Sequence, residues 1–327
     1  VKLIPNAKVG ALALGALLAL VTACGAAPEP TQQAAAPFRV VTHAMGETVI
    51  PARPTRVVAL DQSFVDAVLT LETPVVGYTT YRAITGGLPD YLGPLTGTYA
   101  GDAIPVGGLE DPSLEQIAAL KPDLIVSAKV RHEALYEQLS RIAPTVFSET
   151  TGAIWKDNLR LTAQALGKEE LADTRIAEYE QRAATIGRAI GEANGVTLPT
   201  ISVVRFAGEE TVRLYGEQSY SGVVLRDVGF PRPASQPTSD KIAVDLSQER
   251  ILDLDADHIF VASYPDPTTE APKAQFTSNP LWSRLAGSRH DVSDLTWMSA
   301  VGLQGAHAML DDVAATFSVD PARPKMG

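Results

Sequence analysis

Apolar and polar positions alternate as short strands and helices from about residue 38 onward. Residues 38–50 carry two β-like runs around His43-Ala44-Met45-Gly46, which predicts an N-terminal hairpin. Residues 56–60 (RVVAL) read as a buried strand and residues 74–77 as the next. Between them, residues 61–71 read as a helix with Phe64, Ala67, Val68 and Leu71 on one face. That is the start of a β-α-β crossover. Residues 103–108 and 144–147 supply further strands, with one helix over 133–142. The pattern predicts a first lobe built around a parallel sheet.

One unit occurs twice. Residues 113–126 (SLEQIAALKPDLIV) and 247–260 (SQERILDLDADHIF) share Ser, Glu, Ile, Leu, Asp and Ile at matching positions, from Ser113/Ser247 to Ile125/Ile259. Each copy has a Ser that can cap a helix, an acid in the first turn, apolar residues three apart, and a polar turn before an apolar run. A weaker echo precedes it in both halves, Gln62-Ser63-Phe64 and Gln218-Ser219-Tyr220. Two similar lobes follow from this repetition.

Between the lobes the period is helical. Trp155, Leu159, Thr162 and Leu166 define a helix closed by Gly167. Residues 168–190 then carry a stripe of Leu171, Ile176, Tyr179, Ala183, Ile186 and Ile190, long enough to span roughly 35 Å. A strand over 200–206 opens the second lobe. A single helix resists hinge bending, so closure between the lobes is expected to be small.

The chain ahead of residue 38 is different. Lys2 and Lys8 precede an apolar run over 9–21 that is shorter than the roughly 20 residues a membrane span needs. Val21-Thr22-Ala23-Cys24 follows and resembles a bacterial lipobox, which makes residues 1–23 a cleaved signal and Cys24 the lipidated first residue. Residues 24–37 then form a flexible tether. Cys24 is the sole cysteine, so no disulfide or thiolate metal site is available. The net formal charge of −11 argues against nucleic acid or an anionic membrane patch as partner.

Candidate chemistry lies where apolar runs end, since ligands of open α/β sheets collect at the carboxyl ends of strands. Tyr78, Tyr81 and Arg82 follow the second strand, and Lys129 and Arg131 follow the first repeat copy. Arg205 ends the strand over 200–206, with Arg213 and Tyr215 soon after, and Trp297 lies in the late stretch 294–303. Each also has an ordinary reading, the arginines as surface cations and the tyrosines as rim of the core. Trp282 and His43 are expected to be structural. The histidines (His43, His132, His258, His290, His307) show no spacing suited to shared coordination, and residues 253–257 lack the glycine of a calcium loop. No nucleophile elbow, P-loop or dinucleotide fingerprint is present, which argues against an enzyme.

Several stretches together resemble one family: VVTHAMGE (40–47), PVGG (105–108) leading to Ser113-Leu114-Glu115, KPDLI (121–125), KVRHE (129–133), IAPT (142–145), RLYG (213–216) and NPLW (279–282). The chain resembles the substrate-binding lipoproteins of bacterial ABC importers for ferric siderophores, haem and cobalamin. The resemblance implies an α/β fold, two Rossmann-like lobes joined by one long backbone helix. The lobes would be residues 38–167 and 192–327, and the helix 168–191. It implies a monomer on the extracytoplasmic face of the cell membrane, with a ferric siderophore and an ABC transporter permease as partners and no cofactor of its own. By motif position, Glu115 and Glu249 would dock arginines of the permease; otherwise they only favour their helix N-termini.

A siderophore fills the iron's coordination sites itself. The protein then needs donors for the chelate's oxygens and flat apolar surface for its scaffold, which Arg, Tyr and Trp provide. The segment around Arg131 resembles members taking hydroxamate or mixed citrate-hydroxamate chelates, and residues 297–302 lack the arginines of members taking strongly anionic citrate chelates, although Arg82, Arg131, Arg205 and Arg213 would equally suit an anionic catecholate. Haem and cobalamin stay open as ligands, and a lipid-anchored enzyme or scaffold is the remaining class.

Overall fold

The computed structural model describes residues 36–81, 86–208, 212–236 and 240–323. Cys24 and Arg82 lie outside them. The chain divides into residues 1–36 and 37–327, and the elements below belong to the second unit.

Strands β1 (Arg39–His43) and β2 (Gly46–Ile50) form an antiparallel hairpin. Its turn needs the positive φ of 116° at Gly46. The first lobe holds β3 (Val57–Ala59), β4 (Val75–Thr80), β5 (Ile104–Gly108), β6 (Leu124–Ala128) and β7 (Thr145–Ser148). They form a parallel sheet in the order β5-β4-β3-β6-β7. The second lobe holds β8 (Ile201–Phe206), β9 (Val212–Tyr215), β10 (Ala243–Leu246), β11 (His258–Ser263) and β12 (Ser288–Ser293), in the order β10-β9-β8-β11-β12. Here β9 runs antiparallel to β8, whereas β11 and β12 are parallel to it. The gap from Phe206 to Val212 is too short for a crossover, so the chain can only turn back. In both sheets the chain leaves the central strand in two directions, which opens a crevice at the carboxyl ends.

The twin segments fold alike with one difference. Ser113 caps the helix Leu114–Ala119 by accepting the Gln116 N–H. Ser247 makes no such cap, and Gln248–Leu254 winds as a 3₁₀ helix; the nearby Ser247 hydroxyl helps lower the Glu249 pKa. The repeated aspartates do the same work in both lobes. Asp123 accepts the Thr55 and Arg56 N–H groups at 2.8 Å each, and Asp257 accepts the Thr200 N–H and hydroxyl at 2.8 Å each. Each carboxylate ties the start of its own strand to the start of the central one.

The single helix expected over 133–142 is instead a 3₁₀ turn Glu133–Leu135 followed by a short helix Tyr136–Ser140, with a separate turn Lys129–His132 ahead of them. Buried His132 ends that separate turn. Its ring bonds Ser127 Oγ and the Leu109 carbonyl at 2.6 Å each, and its backbone leaves the helical region (φ −131°, ψ 27°).

The helix Trp155–Leu166 ends at Gly167 in the left-handed conformation, φ 66°. The bridging helix Glu169–Ala193 follows and buries Ala172, Ile176, Tyr179, Ala183, Ile186 and Ile190. It also buries Arg182, which pairs with Asp311 of the terminal helix Leu303–Thr316 and donates to the Pro321 carbonyl. One apolar core runs from Val57 and Phe64 through Tyr179 and Ile186 to Trp297 and Met309. The two lobes therefore share packing rather than meeting only through a linker. Among the described residues, no helix is long and apolar enough to cross a membrane.

Candidate ligand-binding site

The strand ends of both lobes meet around a cavity of about 270 Å³. Tyr81, Arg131, Arg205, Arg213, Tyr215 and Trp297 all line it, six of the eight residues picked out for ligand contact from the sequence.

From the first lobe, β6 ends at Ala128 and the turn Lys129–His132 carries Val130 and Arg131 to the cavity. The Ser127–His132–Leu109 hydrogen bonds brace this turn from behind. That serine and histidine resemble a catalytic dyad only on paper, because Ser127 is completely buried and no substrate can reach it. Burial lowers the His132 pKa. Arg131 is held by Asp61, Nε to Oδ2 at 3.0 Å, and Asp61 in turn accepts the Ser63 N–H and hydroxyl as N-cap of the helix Gln62–Thr70. After β7, Thr150 is fixed by Asn158 Nδ2 and Ser148 Oγ, both donating to its carbonyl.

From the second lobe, Arg205 lies inside β8 and is only 5% exposed. It meets Asp294, which follows β12, in a two-pronged pair: Nε to Oδ2 at 2.6 Å and Nη2 to Oδ1 at 2.8 Å. Its Nη1 donates to Tyr215 Oη at 3.3 Å, and Ser299 Oγ donates to Asp294 Oδ1. Burial works against the Arg205 charge, but the Asp294 carboxylate outweighs it and raises the pKa. Arg213 on β9 sits 4.0 Å from Asp245. Trp297 stands against the cavity floor, fully buried, with its N–H on Asp312 at 2.8 Å and its ring against Phe260. Tyr81 meets Tyr264 of the second lobe edge to face at 6.3 Å.

Tyr78 is placed differently from the sequence expectation. β4 continues to Thr80, so Tyr78 lies inside the strand, 5% exposed and packed in the core, away from the cavity lining. The sequence reading also passed over Asp61 and Asp294, although both follow strands as the arginines do. It missed Val130 and Ile242, apolar residues 60% and 50% exposed that face the cavity from opposite lobes. Trp282 packs against Phe206 and Phe276, and His43 is tied to Thr48 and the Phe147 N–H, both structural roles. His258 and His290, remote in sequence, meet at 2.9 Å on adjacent strands. No group of three His, Cys, Asp or Glu among the described residues is placed to hold a metal ion.

Glu115 and Glu249 are both exposed, in the first turns of the segments feeding β6 and β11. Those segments run back against the parallel strands, so their N-termini, and the two acids, lie on the carboxyl-end side of the sheets where the cavity opens.

A family model for periplasmic binding proteins matches residues 57–291, which takes in both sheets and the bridging helix. The chain belongs to the periplasmic binding protein family. This periplasmic binding protein is 37% identical over 297 residues to the probable siderophore-binding lipoprotein YfiY of Bacillus subtilis, covering 85% of this chain and 87% of that one. It is 28% identical to the Fe(3+)-citrate-binding protein YfmC of the same organism, covering 84% of each. Among solved structures, SirA of Staphylococcus aureus complexed with staphyloferrin B superposes with a TM-score of 0.77 at 31% identity, covering 86% of this chain and 99% of SirA. The family and these relatives are substrate-binding proteins rather than enzymes, in line with the resemblance drawn from the sequence.

Proposed function

We propose that this protein is an extracytoplasmic lipoprotein, anchored through Cys24, that captures a ferric siderophore in the inter-lobe cavity and delivers it to an ABC importer permease. The observation that carries this reading is the convergence of Arg131, Arg205, Arg213, Tyr81 and Tyr215 from two lobes on one cavity. Guanidinium and phenol groups there suit a chelate that brings its own iron ligands. The names of YfiY and SirA's ligand support the same substrate class and, for YfiY, the lipid anchor.

The cavity volume of about 270 Å³ lies just below the roughly 300–1,000 Å³ usual for ligand sites. The chelate's iron centre would occupy it while the organic arms lie on the exposed Val130 and Ile242. Such an apolar rim favours a hydroxamate or mixed citrate-hydroxamate siderophore. Titration of the tryptophan fluorescence with ferric hydroxamate, catecholate and carboxylate siderophores, haem and cobalamin tests the reading. At least one ferric siderophore should bind with a Kd below about 10 μM; exclusive binding of haem or cobalamin, or of nothing, would overturn it.

A further inference from the structure

The three cavity arginines do not present three charges. Arg131 pairs with Asp61 at 3.0 Å, Arg205 with Asp294 at 2.6 Å, and Arg213 with Asp245 at 4.0 Å. The Asp61 and Asp294 side chains are 6% and 0% exposed, so water and salt screen these two pairs far less than a surface pair. Only Asp245, 69% exposed, resembles an ordinary surface carboxylate.

The pairing leaves hydrogen-bond donors behind. A guanidinium carries five N–H donors. Arg131 uses its Nε on Asp61, and its two terminal nitrogens make no hydrogen bond within the described residues. Arg205 uses Nε and one N–H of each terminal nitrogen on Asp294 and Tyr215, so each terminal nitrogen keeps one more. The cavity thus offers oriented donors whose positive charge has been largely cancelled.

We propose that Asp61 and Asp294 are specificity-determining residues that restrict the cavity to ferric chelates of low net charge. They hold Arg131 and Arg205 in place while offsetting the potential that would draw a highly anionic ligand. This rests on reading the cavity as a ferric-chelate site. A trianionic chelate entering it sheds strong hydration and meets two buried carboxylates behind the arginines. A neutral or singly charged chelate loses less hydration and still gains every directional hydrogen bond. Neither aspartate lines the cavity, so they act through the arginines as positioning residues.

The test compares two probes, a neutral ferric trishydroxamate and a trianionic ferric tris-catecholate, by fluorescence titration of wild type and variants. Asp61→Asn is the main variant, because Asn caps a helix as well as Asp and its partner Arg131 is partly exposed. Asp294→Asn is the second, with circular dichroism to confirm folding, since it leaves Arg205 buried without a counter-charge. Wild type should bind the neutral probe at least about tenfold tighter, and Asp61→Asn should narrow that ratio at least about fivefold. A purely structural role would weaken both probes alike and leave the ratio unchanged. An unchanged ratio, or a wild-type preference for the trianionic probe, overturns this inference and spares the site. If neither those probes nor any other ferric chelate binds, the site reading falls and the inference falls with it.

Discussion

Asp66, on the first lobe's helix Gln62–Thr70, caps the terminal helix Leu303–Thr316 by accepting the Gln304 and Gly305 N–H groups at 3.1 Å each. The carboxyl is completely buried, and Tyr91 and Tyr220 crowd it as well. Burial drives its pKa up from 3.8 to about 6, and the backbone N–H groups and Thr70 oppose the rise only in part. Because the folded value lies above the unfolded one, stability from this group is fully present below 3.8 and is lost as pH rises through about 6. Asp66→Asn removes that dependence. The wild-type stability minus that of the variant should fall by up to about 3 kcal/mol across the interval, measured by urea unfolding at each pH. A difference that stays flat would show that the carboxyl does not titrate there.

Arg131→Ala and Arg205→Ala should each weaken ferric siderophore binding at least about tenfold, but with different structural costs. Arg131 is partly exposed, and Asp61 keeps the Ser63 N–H and hydroxyl after its loss, so thermal unfolding should fall, but by less than for Arg205→Ala. Arg205 faces a carboxylate with no solvent exposure, and its removal strands Asp294 at a cost of about 3–5 kcal/mol. The double variant Arg205→Ala, Asp294→Ala should recover part of that stability without recovering affinity. Unchanged dissociation constants in both single variants would remove the arginines from the site.

Glu115→Ala with Glu249→Ala should lower uptake of radiolabelled ferric siderophore by cells at least about tenfold and leave affinity within about twofold. Both acids are exposed, so thermal unfolding of the double variant should shift only slightly. Normal uptake would mean that the two acids serve their own segments and nothing more.

Gly187→Ala tests the contact between the bridging helix and the second lobe. A Cβ at this position would fall 1.9 Å from the Val228 carbonyl oxygen, part of the backbone at the end of the helix Tyr220–Val228. Alanine gains about 1 kcal/mol in helix propensity over glycine. Separating two packed backbones costs about 1–3 kcal/mol or more, so the clash should win and lower the Tm. A raised Tm would mean the interface yields easily.

Local rules carried far in this chain. The Gly167 stop and the long stripe from Ile176 to Ile190 lie where short-range sterics and helical period require them. The strand-end rule found Arg131 and Arg205 because a ligand crevice in an open sheet follows from topology. It failed at Tyr78, where β4 runs past its apolar stretch. It offered no way to see that the second copy would wind as a 3₁₀ helix without a serine cap, because a short local segment has more than one way to satisfy its polar groups.

The sequence by itself determined two α/β lobes, one bridging helix and a set of cationic and aromatic residues at strand ends. Hydrophobic period and capping act over a few residues and can be read in order. Only the tertiary structure decided which charges meet. Asp61 and Arg131 are 70 residues apart, Arg205 and Asp294 are 89, and Asp66 reaches Gly305 across 239. Ion pairs form over a few ångströms of space, and residue spacing along the chain does not encode that distance until the sheets have closed around it.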